Sequence, residues 1–323
     1  MAFFSGLKSG LKNIIKPNKS KVLITGGGGQ IADSLMHLMA SGRVFGLDTK
    51  VELRLLEIEA ALSGLDGIKM ELQDCAYPLL NEVICTSDLE TAFEEVNWVC
   101  LLGGHPRKEG MTRLDLLEVN APIIIEQAIA VNKYAADTIK GVMGVANPCN
   151  TLMDLASRYA PNIPPECFHA LMQLDANRAT AFLAEKAGVS VECVKNVAIL
   201  GNHSESVYPC VNRATIKGKP VKEVIDEKWL QNEFIKKVQE RGKEIINKKG
   251  RSSAPSVAKA IRDAIKNLLK ETSFSEQLSC HDFATGEYRK DTPEFFSTAT
   301  KYPMDCIATQ YSGESVFFSA PYI

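Results

Sequence analysis

The feature that most constrains this chain is a run of four glycines, residues 26–29, between a short apolar segment and a helical pattern. The apolar segment, residues 21–25, is typical of a buried strand, and the helical pattern continues through Leu38. Glycine is favoured at such a turn because it tolerates conformations and close approaches that a Cβ atom would prevent. The run therefore predicts a strand-to-helix turn at the start of an α/β fold.

The alternation of strand and helix continues through the first half of the chain. β-Branched or aliphatic runs, each followed by a helix-length segment, occupy residues 21–25, 51–58, 82–86, 96–102 and 139–146. This pattern is typical of βαβ units, and it predicts a parallel sheet with helices on both faces.

The second half has longer helical patterns, a strand near residues 196–200, and two strand-like segments, 302–310 and 314–320, that a Ser-Gly turn could join as a hairpin. A chain of 323 residues is long enough for two domains. We expect the first domain over residues 21–171 and the second over residues 172–323.

Residues 1–20 differ from the rest, with four lysines, no acidic residue and apolar side chains at helical spacing up to Pro17. They could form a membrane-surface helix, an organellar presequence, or a disordered or loosely packed arm. No apolar run approaches the roughly 18 residues needed to cross a bilayer, so we expect a soluble protein without stable membrane insertion.

Charge and cysteine content exclude several classes of protein. The net charge is −2, which provides no overall field to attract nucleic acid or an anionic membrane. The nine cysteines are scattered, without a CxxC pair or metal-ligand spacing. We expect reduced core thiols in an intracellular protein and no metal site.

The glycine turn is a candidate nucleotide site, because glycines let the backbone approach a pyrophosphate and a helix N-terminus attracts anions. The spacing is Gly26-x-x-Gly29-x-x-Ala32, a variant of the usual fingerprint. Glu57 follows at the end of the second predicted strand, where a carboxylate can accept hydrogen bonds from both ribose hydroxyls and would repel a 2′-phosphate. This pattern favours NAD over NADP, although Glu57 could also be an ordinary surface charge.

Two further segments carry candidate functional residues. A loop with glycines at 103 and 104 and arginines at 107 and 113 follows the fourth predicted strand, where ligands bind in such sheets. Asp175 and Arg178 share one face of a predicted helix, and His203 follows the strand near residues 196–200. A carboxylate on one imidazole nitrogen would leave the other free to accept a proton. Taken singly, the arginines could be solvated charges, the Asp–Arg pair an exposed ion pair, and the histidine a core or turn residue.

Taken together, the motifs resemble the NAD-dependent malate dehydrogenases of the cytosolic type, within the lactate/malate dehydrogenase superfamily. The resemblance runs from about Lys21 to about Lys270 and rests, in the family's order, on GGGGQIA, DGIKMELQDCAYPLL, GGHPRKEGMTRLDLLEVN, VANPCNT, LDANRA, GNHSESVYP and RSSAPSVAKA. It implies a Rossmann-type, doubly wound parallel sheet followed by an α+β catalytic domain with antiparallel strands. It also implies NAD as cofactor, a cytoplasmic homodimer, and a reaction of the tricarboxylic acid cycle in which a hydride passes between malate and NAD⁺.

The resemblance assigns roles to individual residues. His203 matches the family's proton acceptor, and Asp175 matches the partner of that histidine. Arg178 matches the arginine that binds the C1 carboxylate, and Arg113 matches the arginine that polarises the reacting oxygen. Arg107 matches the specificity arginine for the distal carboxylate. The remaining implied positions are Asn147 and Ser253 for substrate and Gly26, Gly29, Gln30, Ile31, Glu57, Gly103, Gly104, Asn120, Gln127, Val145 and Asn147 for cofactor.

The sequence departs from the family's pattern in three places. Glu57 stands where aspartate is common, Met172-Gln173-Leu174-Asp175 replaces a TRLD-like motif, and the match fades past Glu276. We expect the second domain to lack the long C-terminal helix of the relatives. Two alternatives follow: a lactate-like 2-hydroxyacid dehydrogenase of altered specificity, and a degenerate relative that binds NAD as a scaffold without turnover.

Overall fold

The computed structural model describes residues 18–108, 110–201, 203 and 207–269. The predicted hairpin, the altered C-terminal region, and residues 1–17 of the predicted extension lie outside the described residues.

A six-stranded parallel sheet forms the centre of the molecule. Its strands are β1 (Asn18–Thr25), β2 (Thr49–Leu56), β3 (Leu80–Thr86), β4 (Trp98–Leu101), β5 (Gly141–Gly144) and β6 (Phe168–Ala170). The strand order is β3-β2-β1-β4-β5-β6, and Val22 of β1 lies between Leu53 of β2 and Trp98 of β4. The connections therefore change direction between β1 and β4, which opens a crevice at the carboxyl ends of those two strands.

Helices cover both faces of this sheet, and further helices lie in the second half of the chain. They are α1 (Gln30–Ala40), α2 (Leu62–Asp74), α3 (Leu89–Phe93), α4 (Arg113–Tyr134), α5 (Cys149–Tyr159), α6 (Gln173–Ala187), α7 (Val221–Val224), α8 (Glu227–Trp229), α9 (Ile235–Lys249) and α10 (Pro255–Leu269). A π-helical turn, Leu230–Phe234, joins α8 to α9.

The alternating side chains of β1 enter two different core clusters. Val22 and Ile24 pack with α1 and α10, whereas Leu23 packs on the opposite face with α4 and α5. A strand that is buried on both faces reads as a continuous apolar run, as residues 22–24 do. The predicted α/β fold with a doubly covered parallel sheet is confirmed.

Short antiparallel strands follow α6. They are β7 (Val194–Lys195), β8 (Ala198–Leu200), β9 (Tyr208–Cys210), β10 (Thr215–Ile216) and β11 (Lys219–Pro220). They form two small sheets, β11-β10-β7 and β8-β9. The predicted α+β region with antiparallel strands is therefore present, and among the described residues no helix is long and apolar enough to cross a membrane.

Several sequence expectations need correction. The first strand begins at Asn18, so residues 18–20 belong to β1 and not to the extension, because they pair with β2 and Lys19 forms an ion pair of 2.8 Å with Glu52. The fifth strand is shorter than predicted at both ends, since it spans Gly141–Gly144 and residues 139, 140, 145 and 146 lie outside it. The seven cysteines among the described residues form no disulfide with one another, but Cys75, just past the end of α2, is exposed and is not a core thiol.

Candidate active site

The glycine turn brings the ends of three strands together through their main chains. Gly26 has φ +66°, and a Cβ atom there would lie 2.9 Å from the Cα of Gly103, which follows β4. The amide of Gly27 donates to the carbonyl of Leu56 at 3.1 Å, and the amide of Gly103 donates to the hydroxyl of buried Thr25 at 3.0 Å. The turn is therefore formed by backbone that approaches too closely for larger residues.

This turn leaves an anion-binding helix end open beside a carboxylate. Helix α1 begins at Gln30 with Gly29 as N-cap and no side-chain capping bond, so its first amides remain available. Ile31 packs against the core cluster, which fixes the first turn of the helix. The Glu57 carboxylate accepts hydrogen bonds from the amides of Gly28 (3.3 Å) and Ile58 (3.1 Å). A cradle without Cβ atoms, an uncapped helix end and a nearby carboxylate fit the pyrophosphate and ribose of NAD.

Asn120 joins the two loops that leave β4 and β5. Its side chain is fully buried in α4, where Nδ2 donates to the carbonyls of His105 (3.2 Å) and Asn147 (2.8 Å) and Oδ1 accepts from the amide of His105 (2.7 Å). A Cβ atom on Gly104 would lie 3.1 Å from that oxygen. Asn120 is thus a clamp between loops, and its predicted contact with the cofactor stays a prediction.

The two loop arginines have different surroundings. Arg107 is exposed, and its Nε donates to the carbonyl of Met111 within the same loop at 3.0 Å. Arg113 is the first residue of α4, after a capping box between Thr112 and Asp115, and its guanidinium donates to the carbonyl of His203 at 3.3 Å. The structure therefore brings Arg113 to the histidine, while Arg107 lies on the loop.

A buried carboxylate joins the predicted histidine and helix arginine. Oδ2 of Asp175 lies 2.6 Å from Nδ1 of His203, and Oδ1 lies 3.1 Å from a terminal nitrogen of Arg178. The side chains of Asp175, Arg178 and His203 are 3%, 13% and 28% exposed. The alternative of an exposed Asp–Arg pair is wrong, because this face of α6 is turned inward, where Ala179 and Phe182 are also buried.

Opposing effects act on the pKa of Asp175. Burial raises the pKa of its carboxyl, but the imidazole of His203 and the guanidinium of Arg178 outweigh burial and hold the pKa below its usual value. The carboxylate is therefore ionised at neutral pH. It orients the imidazole through Nδ1 and leaves Nε2 for proton exchange with a ligand.

Within the described part of the chain, Arg178 keeps an unpartnered donor beside the closely packed Gly242. Its Nε is buried and has no hydrogen-bond partner among the described residues. A Cβ atom on Gly242 of α9 would lie 3.6 and 3.7 Å from its two terminal nitrogens. A guanidinium with an unused donor suits an anionic ligand group.

The other predicted positions are more scattered. Asn147 is exposed, the amide of Val145 donates to the carbonyl of Leu101 at 3.0 Å, and Ser253 is half-buried just before α10. Gln127 is buried in α4, and its Oε1 has no partner within the described part of the chain. In the same part of the chain, no group of three acidic, histidine or cysteine side chains is placed to hold a metal ion.

The structure adds one site residue that the sequence reasoning missed. Oδ1 of Asn150, in the first turn of α5, accepts a hydrogen bond from the amide of His203 at 3.1 Å. A single sequence does not show this contact, because the partner of the asparagine lies 53 positions away. Its one signal is its place three residues after Asn147.

Comparisons with known proteins agree with this geometry. Residues 20–169 match the family model of the lactate/malate dehydrogenase NAD-binding domain, and residues 172–309 match that of the lactate/malate dehydrogenase α/β C-terminal domain. A malate dehydrogenase from Naegleria fowleri is 42% identical, with a TM-score of 0.74 over 77% of this chain and 76% of that one. A lactate dehydrogenase of Trichomonas vaginalis, solved with NADH and oxamate, is 36% identical, with a TM-score of 0.75 over 80% and 79% of the two chains.

Both family domains are matched in order, the glycine turn fits the nucleotide, and the acidic, basic and imidazole side chains meet in one buried cluster. The chain belongs to the lactate/malate dehydrogenase family of oxidoreductases, with NAD as its cofactor.

Proposed function

We propose that this protein is a malate dehydrogenase that interconverts malate and oxaloacetate with NAD⁺ and NADH. The observation that carries the proposal is the Asp175 carboxylate shared between His203 and Arg178, with Arg113 bonded to the same histidine segment. This arrangement places one proton acceptor and two cations where a hydroxy acid can be held by its carboxylate.

The proton step belongs to His203 and Asp175. Nε2 of His203 takes the proton of the malate hydroxyl, and the Asp175 carboxylate at Nδ1 stabilises the imidazolium that forms. Bound NAD⁺ supplies the acceptor for the hydride from C2 of the substrate. In the reverse direction, the imidazolium returns its proton to the oxygen of oxaloacetate.

The arginines bind and polarise the substrate. Arg178, with its unused buried Nε, holds the C1 carboxylate, and Arg113 stabilises the charge on the reacting oxygen. Arg107 lies on a loop with glycine hinges and binds the distal carboxylate when that loop closes. A cation at this place favours a dicarboxylate over lactate or pyruvate.

A steady-state assay of NADH oxidation with oxaloacetate, pyruvate and 2-oxoglutarate tests the proposal. We expect oxaloacetate to have the highest kcat/KM and the His203→Ala variant to lose turnover. Equal background rates for wild type and His203→Ala would contradict turnover by this chemistry. If NADH still raised the Tm of the protein, it would bind NADH without turning over.

Arg107→Gln distinguishes a malate dehydrogenase from a lactate-like enzyme. The lactate-like alternative is supported by the 36% identity to the Trichomonas vaginalis lactate dehydrogenase. We expect the variant to lose kcat/KM for oxaloacetate by an ion-pair-sized ~2–4 kcal/mol while the value for pyruvate changes little. Lys108→Gln, which removes the neighbouring exposed cation, is the matched control. Oxaloacetate turnover that survived Arg107→Gln would contradict the role of this arginine.

We further propose that the protein works as a cytoplasmic homodimer. A fluorescent fusion of residues 1–20 tests the location. Fluorescence at a membrane or in an organelle would contradict the proposed cytoplasmic location. Sedimentation of the purified chain tests the oligomeric state, and a monomer at assay concentration would contradict the dimer.

A further inference from the structure

We propose that Asn150 is a positioning residue for the reaction: its side chain fixes the main chain of His203 and thereby sets where the imidazole lies. The inference rests on the proposed role of His203 as proton acceptor. It concerns a residue whose side chain holds backbone and does not itself exchange the proton.

The contact itself is buried and connects distant parts of the chain. Oδ1 of Asn150 accepts the amide hydrogen of His203 at 3.1 Å, and Asn150 is 3% exposed. Water therefore competes little for this oxygen, and a buried amide without its acceptor would pay a desolvation penalty. The thiol of Cys149 also donates to this oxygen, at 3.6 Å.

Among the described residues, the other contacts of His203 fix its main chain less firmly than Asn150 does. Asp175 holds the imidazole at one nitrogen, and a single hydrogen bond still lets the ring follow any movement of its Cα atom. Arg113 reaches the His203 carbonyl at 3.3 Å from an exposed position next to the arginine loop. Of the two contacts to the main chain of His203, those of Asn150 and Arg113, the Asn150 contact is the one that comes from a buried side chain.

The tether is rigid because α5 is firmly packed. Leu152 and Met153 are buried in the core cluster that includes α4 and β6. The segment before α5 carries Asn147, whose carbonyl is held by the buried Asn120. One short stretch of chain, residues 147–150, therefore connects the clamp on the β4 and β5 loops to the histidine.

Loss of the tether should affect the reaction more than the fold. A displacement of about 1 Å in a reacting group can cost on the order of a hundredfold in rate. The glycine turn that fits the nucleotide follows β1, whereas Asn150 lies in α5 after β5, so we expect binding of NADH to be unaffected. This split separates positioning from general loss of structure.

The experiment compares Asn150→Leu, which keeps the size and removes the acceptor, with Asn150→Asp, which keeps the acceptor. Asn132→Leu is the matched control, since Asn132 accepts the amide of Asn162 at 2.8 Å away from the site. For each protein, kcat and KM for oxaloacetate, the Kd of NADH by fluorescence, and the Tm are measured. If Asn150→Leu fails to bind NADH, Asn150→Ala, which cannot overfill the site, replaces it.

We expect the variant without the acceptor to lose kcat by about 10- to 100-fold with the Kd of NADH within twofold, and Asn150→Asp to recover most of the rate. The control should match the wild type in kcat. A kcat within threefold of wild type for the acceptor-free variant, or a loss that Asn150→Asp does not relieve, would overturn the inference. Failure of the proposed function looks different, because the wild type itself would then not turn over or His203→Ala would remain active.

Discussion

The glycine turn and the histidine cluster are the two regions of the proposed site, and they are built in opposite ways. In the turn, the main chain at Gly26 lies in close contact with the main chain at Gly103. Its function depends on the lack of Cβ atoms at these positions. The cluster consists of the polar side chains of Asp175, Arg178 and His203. Its function depends on the contacts among their carboxylate, guanidinium and imidazole groups. One region is thus sensitive to added volume, and the other to removed charge.

The two regions also differ in what burial costs. The glycine turn places backbone groups that bond to one another, so little charge is removed from water. The cluster buries a carboxylate, which is unfavourable unless cations and donors surround it. The lowered pKa of Asp175 shows that His203 and Arg178 outweigh the cost of its burial.

The sharpest way to test this contrast is Asp175→Asn, which removes one charge and keeps the volume. We expect kcat for oxaloacetate to fall by about 10²- to 10⁴-fold, because the imidazolium loses its counter-charge and the amide can hold the wrong tautomer. The Kd of NADH should be unchanged. Asp154→Asn, which breaks a surface ion pair of 2.8 Å with Arg158, is the control and should retain the wild-type rate.

The same substitution has a signature in acid. The folded pKa of Asp175 is below the unfolded one, so the stability from its ionised form is complete above the unfolded value, near pH 4, and is lost as pH falls through the folded pKa. We expect the wild type's advantage in Tm over Asp175→Asn to narrow below about pH 4. A Tm difference that grew with acidification would contradict the assigned direction.

Gly26→Ala tests the other half by adding a single methyl group. The new Cβ would lie 2.9 Å from the Cα of Gly103 on a backbone with φ +66°, so we expect unfolding to become easier by about 1–3 kcal/mol. The Kd of NADH should rise by about 10- to 100-fold as the start of α1 shifts.

Gly64→Ala in α2 is the matched control, since nothing lies within 4 Å of its added Cβ. The free energy of unfolding of that variant should rise by roughly 0.5–1 kcal/mol, because alanine is the better helix former. If both alanine variants bound NADH like the wild type, close backbone approach would not be what the turn requires.

Glu57→Gln has the smallest expected effect, because it keeps the shape and changes one charge at the edge of the glycine turn. We expect NADH to bind about tenfold more weakly, since a hydrogen bond to a charged acceptor is replaced by a neutral one. Discrimination against NADPH should relax, and kcat at saturating NADH should hold. Isothermal titration with both nucleotides measures the two affinities, and unchanged discrimination would argue against the carboxylate as the selective group.

The sequence predicted the glycine turn better than the cluster, for a physical reason. Residues 21–31 carry the strand, turn and helix start in one local stretch, and local pattern is what a single sequence displays. Asp175 and His203 come from different elements, so their 2.6 Å contact depends on how α6 packs. The roles of Asp175 and His203 were predicted through family resemblance. The inward orientation of α6 and the Asn150 contact were not predicted, because both depend on residues that are distant in the chain.

The packing of α10 against α1 has a consequence for how the protein is made. The apolar face of α1 shares a core cluster with α10, which lies about 200 residues later in the chain. At ~5–20 residues per second, a ribosome needs roughly 10–40 s to supply that cover after α1 has emerged. In nascent chains the side of α1 that α10 covers is therefore exposed for most of the synthesis. A ribosome that stalls before residue 255 leaves this side of α1 open to chaperones or aggregation.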